Sequence, residues 1–118
     1  MVTVRHAAQA ADLIAHAFEG AAGPRAAILH LDQERHPIHV SLHAADAAHG
    51  LPVREMVERA LELGSRGIVA GLRGAPDAAA RADLRRLAAI CRDLAIRLED
   101  VLIFEAEDAT SLRAINLL

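Results

Sequence analysis

The sequence predicts an α/β domain in which one mixed β-sheet lies between layers of helices. Two short runs, AAILHL at 26–31 and GIVAGL at 67–72, are almost wholly apolar, the pattern of strands covered on both faces. A third run at 38–43 alternates instead, with Ile38, Val40 and Leu42 on one face and His39, Ser41 and His43 on the other. Around these, three stretches repeat their apolar residues at helical spacing. The order helix, two strands, helix, strand, helix, two strands needs both parallel and antiparallel pairings in one sheet.

In chain order, residues 6–19 form the first helix, with Ala10, Leu13, Ile14, Ala17 and Phe18 along one face; Gly20, Gly23 and Pro24 end it. The strand at 26–31 is central. The turn DQERHP at 32–37 leads back antiparallel into the half-buried strand at 38–43. After a loop at 44–50, Pro52 suits a first helical turn. The second helix, 53–63, buries Val53, Met56, Val57, Ala60 and Leu61, and Gly64 caps its end. Beyond the strand at 67–72, Asp77 caps a third helix whose stripe is Leu84, Leu87, Ala88, Cys91, Leu94 and Ala95. A strand at 98–104, a turn at 105–108 and a short strand at 111–114 complete the order. The whole of 1–118 reads as a single domain, with 1–25 an N-terminal helix and linker and 26–118 the core; no internal repeat divides it.

Composition narrows the function classes. The core must be aliphatic, because the chain has two Phe and no Trp or Tyr. A formal net charge of −3 does not attract nucleic acid, and the stacking platforms of single-strand binders are missing. Every one of the 13 basic residues is Arg, which reads as coding bias rather than demand for guanidinium groups. Cys91 is the only cysteine, so no internal disulfide forms, and its place on a helix stripe makes it a core residue. No apolar run is long enough to span a bilayer, and the N-terminus lacks the apolar core of a signal peptide. The expectation is a soluble, cytoplasmic protein.

The stretch SRGIVAGLRGAPDAAARAD, 65–83, is a strand, a glycine- and proline-marked loop and the start of a helix, where α/β proteins place active sites. Between Ile68 and Asp83 it holds no His, Cys, Ser or Glu; its charged residues are Arg73, Asp77, Arg81 and Asp83.

Leu31-Asp32, Val53-Arg54-Glu55, Ile68-Val69-Ala70, the run from Ile96 to Ile103 and the tail from Ser111 to Leu118 together resemble a RadC-type JAB/MPN domain over about residues 10–118. The resemblance implies a three-layer, cytidine deaminase-like fold, related to metalloproteases and bacterial in its RadC branch. It also implies a zinc motif: H-x-H-P, six residues, S-x-x-D, and a Glu from an earlier strand. In active relatives two imidazoles and a carboxylate hold zinc, and a zinc-bound water attacks the scissile bond. Laid back from Asp83, the motif puts its histidines at Ala70 and Leu72, its Pro at Arg73 and its Ser at Ala80. The strand that should supply the Glu, 38–43, has no acid, and the family's Asp-His pair reads Asp100-Val101. Asp83 alone persists, and Arg73, Asp83 and Asp100 would mark what is left of the pocket. Glu55 fits the family's Arg-Glu pair, but an acid in a first helical turn is also favoured by the helix dipole.

These losses imply a pseudoenzyme: catalytically inactive, without zinc, and serving as a binding or scaffold module for an unknown protein partner or as a homo-oligomer. The alternative is a zinc hydrolase with a site rebuilt from His39, His43 or His49. A third reading, association with DNA repair, rests on the family name. The seven histidines otherwise read as scattered over the surface, and Arg81, Arg85, Arg86 and Arg92 as a solvated helix face.

Overall fold

A computed structural model describes residues 7–20, 26–44, 50–105 and 108–113. The elements are α1 (Ala7–Glu19), β1 (Ala26–Leu31), β2 (Pro37–His43), α2 (Val53–Glu62), β3 (Gly67–Arg73), α3 (Ala78–Asp93), β4 (Arg97–Glu105) and β5 (Asp108–Ser111). All five strands share one sheet in the order β2-β1-β3-β4-β5. β1 runs antiparallel to both β2 and β3, β3 and β4 are parallel across the α3 crossover, and β5 returns antiparallel to β4. This is the mixed sheet that the sequence predicts. Among the described residues, no helix is long and apolar enough to cross a membrane.

β1 separates two cores. Its alternate residues Ala26 and Ile28 join Met56, Ala60, Leu84 and Leu87 under α2 and α3. Ala27, Leu29 and Leu31 point the other way, onto Ala10, Ile14 and Phe18 of α1. The helices therefore lie on both faces, giving three layers. Close approach of α1 depends on Gly71: a Cβ there would sit 2.7 Å from Ile14 Cγ2 and 3.2 Å from a Phe104 ring carbon. Phe104 then meets Phe18 edge-on, with ring centroids 5.6 Å apart.

Both long helices on the other face end the same way. At α2, Ser65 N–H reaches back to the Ala60 carbonyl and Gly64 N–H to Leu61, with Gly64 at φ +66°. At α3, Ile96 N–H bonds Cys91 and Ala95 N–H bonds Arg92, with Ala95 at φ +58°. These are Schellman ends, but the second puts an alanine where glycine carries no steric penalty.

Three sequence expectations change. Leu61 is exposed rather than buried, because it lies roughly a quarter turn from the centre of the α2 stripe. Leu94 and Ala95 leave the α3 stripe because the helix stops at Asp93 and the chain turns away through Ala95. The last strand begins at Asp108, not Ser111, since its ladder pairs Glu105 with Asp108 and Leu102 with Ser111; residue 114 lies outside the described residues.

Replacing Ala95 by Gly should therefore raise stability by about 1 kcal/mol, the strain of a left-handed alanine being relieved. Urea unfolding midpoints of the two proteins measure it.

Candidate functional site

The positions where the resemblance places zinc ligands are part of the core. Ala70 and Leu72 are buried among the α2 and α3 side chains. A methyl and an isobutyl group have no lone pair to offer, so these residues do not fit the family's zinc. Ala80 packs against the same core, and its N–H is bonded by Oδ1 of the α3 cap, Asp77, at 2.8 Å.

Asp83 is not a loose surface acid. Its Oδ2 accepts the Leu51 N–H at 3.0 Å, and the carboxylate fills the space where a Cβ at Gly50 would lie, 2.4 Å away. It fastens the approach to α2 onto α3. Asp100 is also engaged: Oδ1 accepts the Val101 and Arg113 N–H groups at 2.8 and 3.1 Å, and Oδ2 accepts the Ser111 hydroxyl. Arg73 lies over the Phe18 ring, 4.4 Å from its centroid, and donates to the Phe18 carbonyl at the end of α1. Arg73 thus belongs to the α1 face and Asp83 to the opposite layer. Asp100 pairs in register with Val69, four residues along β3 from Arg73. The structure does not gather the three into one pocket.

The histidines form a site that the sequence reading missed. Along the second half of β2 the polar residues are the buried ones: Ser41 and His43 are inside and Leu42 is exposed, while at its start Ile38 and His39 are both exposed and Val40 packs against the α1 side. The reason is His30, fully buried in β1 on the side facing α2. Its Nδ1 lies 2.9 Å from Ser65 Oγ and its Nε2 2.8 Å from Ser41 Oγ. Ser41 Oγ is also 2.7 Å from His43 Nε2, and His43 Nδ1 is 3.1 Å from Glu55 Oε2 on α2. His30 and His43 are corrections to the surface reading of the histidines.

With His43 neutral, one direction satisfies every atom. The Glu55 carboxylate only accepts, so His43 Nδ1–H donates to it and His43 Nε2 accepts the Ser41 hydroxyl. Ser41 then accepts from His30 Nε2–H, and His30 Nδ1 accepts the Ser65 hydroxyl. Burial pushes the His30 imidazole down to about 4, helped by the positive potential of His39 and His43 on β2 and Arg59 on α2.

Ser41, His43 and Glu55 have the hydroxyl–imidazole–carboxylate order of a nucleophile triad. Accessibility runs the wrong way for one: the carboxylate is 59% exposed and the serine is buried, its oxygen shared with His30. The arrangement is a clamp holding α2 on β1 and β2.

Of the proposed substitute ligands, His39 is exposed and stacks beside His30 with ring centroids 6.5 Å apart. His43 has both nitrogens turned to Ser41 and Glu55. His49 lies outside the described residues. A different group, Asp32, Glu34 and His36, brings its ligand atoms within 4.8 Å of one another. There Asp32 accepts the backbone N–H of Glu34 and His36 and contacts the His36 ring, and these bonds lower its pKa, the His36 N–H most. Cys91 is buried, and its thiol is pushed up to about 11 by that burial, so it is no nucleophile.

Beyond α3, at the ends of β4 and β5, lies a cleft of about 580 Å³. Its walls are Leu84, Ala88, Ile103 and Leu112, with Arg81 and Arg85 beside them. Compared by sequence, the chain matches no family model and no curated protein.

An unfolded imidazole titrates near 6.5 and takes up a proton that folded His30 refuses. Its contribution to stability is therefore complete above that pH and is lost as pH falls toward 4, by on the order of 3 kcal/mol. Urea midpoints at pH 7.5 and pH 5 should show the drop, and His30→Gln should flatten it while lowering stability throughout.

Proposed function

We propose that this chain is a RadC-like JAB/MPN domain that has lost its metal chemistry and acts as a binding module. The observation that carries the reading is what fills the motif positions: Ala70 and Leu72 complete an apolar core, and Asp83 is committed to the Leu51 N–H. Each position that would serve zinc in the family serves packing or loop closure here. A mixed sheet with helices on both faces is compatible with the three-layer fold that the resemblance implies.

A second copy of the chain is a natural partner for β2. Among the described residues it is an edge strand, paired on one side by β1, with Ile38 and Leu42 exposed.

The zinc-free reading is tested through Asp83. Asp83→Ala should cost about 1–3 kcal/mol, because it orphans the Leu51 N–H and opens the joint between α2 and α3. Neither EDTA nor added zinc should move the thermal midpoint of wild type or variant. A zinc-dependent rise in wild type that Asp83→Ala abolishes would overturn the reading.

A further inference from the structure

We propose that the cleft between α3 and the β4–β5 edge binds a small apolar carboxylic acid. The proposal rests on the binding-module reading and names its ligand. The volume, about 580 Å³, lies within the usual range for small-molecule sites. The cleft sits where the parallel strands β3 and β4 end and the chain enters α3, the end of an α/β sheet at which ligands gather.

The chemistry of the walls selects the ligand. Leu84, Ala88, Ile103 and Leu112 offer an apolar surface for a hydrocarbon body. Arg81 and Arg85 stand one turn apart on α3, so both guanidinium groups reach the same side. Neither has an ion pair or side-chain hydrogen bond among the described residues. Among the other helix arginines, Arg54 pairs with Glu58, Arg59 with Glu62 and Arg86 with Asp83, and Arg92, like Arg81 and Arg85, has no such pair among the described residues but stands outside this cleft. Two adjacent like charges left without acids repel each other, and a carboxylate between them removes that repulsion while accepting from both. Across the cleft, Thr110 supplies a hydroxyl and Glu105 an acid. With two arginines against one glutamate the lining is net positive, which favours an anionic head group over a cationic one.

Calorimetric titration with octanoate, 1-octanol and octyltrimethylammonium tests the assignment on the full chain. Octanoate should bind saturably at one site, at least tenfold more tightly than the alcohol or the cation. Arg81→Gln with Arg85→Gln changes only exposed side chains; it should weaken octanoate at least tenfold and leave the alcohol unchanged. Ala75→Phe, at the mouth of the cleft, should weaken octanoate and the alcohol together. Absence of saturable octanoate binding, equal affinity for the three probes, or indifference to the arginine pair would overturn the proposal. The zinc titration reports separately on the binding-module reading: a zinc response there with octanoate binding intact would sink that reading alone. Zinc indifference with no octanoate binding would sink the cleft alone.

Discussion

His30 is the fifth of six residues in β1, the one described strand whose residues are all buried, and an imidazole in that position cannot go unpaired without costing a few kcal/mol. Its two nitrogens point in opposite directions along the α2 face of the sheet. One must be met from the β2 side and one from the end of α2, and Ser41 and Ser65 meet them. The requirement then propagates. A buried Ser41 hydroxyl shared by two imidazoles orients His43, and His43 in turn needs an acceptor, which Glu55 brings from the first turn of α2. The seat of α2 on the sheet is thus specified by directional bonds as well as by the apolar contacts of Met56 and Ala60.

This constraint bears on function. The hydroxyls, imidazoles and carboxylate that could have made a reactive site are consumed by one another, with the serine innermost. On the neighbouring strand, β3, the residues facing the same layer are Ile68, Ala70 and Leu72, and they seal the region where the JAB/MPN resemblance puts its metal. Asp83 and Asp100 are bound to backbone N–H groups at joints of the fold. Arg81 and Arg85 carry no such obligation among the described residues and line the cleft beside α3.

Much of the fold was legible in the sequence because its signals are local. The apolar runs at 26–31 and 67–72, Asp77 as a cap and Gly64 as a terminator each state their structure within a few residues, and the elements appear where those residues put them. The site was not legible, because its parts are joined across the sheet. His30 meets Ser41 only through the antiparallel register that sets Ile28 against Ser41 and His30 against His39. One signal was present: a histidine inside an otherwise apolar strand must have partners, and a strand with the pattern H-x-S-x-H next to it can supply them. Alternation in β2 identified its two faces correctly but could not say which one was buried. The engagement of Asp83 was hidden for the same reason, since Leu51 is distant in sequence.

Nitrogen-detected NMR of the histidine rings tests the clamp most directly. At pH 8 the account predicts that His30 is neutral, protonated on Nε2 and bare on Nδ1, with a slowly exchanging ring proton shared with Ser41. A His30 ring found as imidazolium, protonated on Nδ1, or averaging between tautomers at that pH would contradict it.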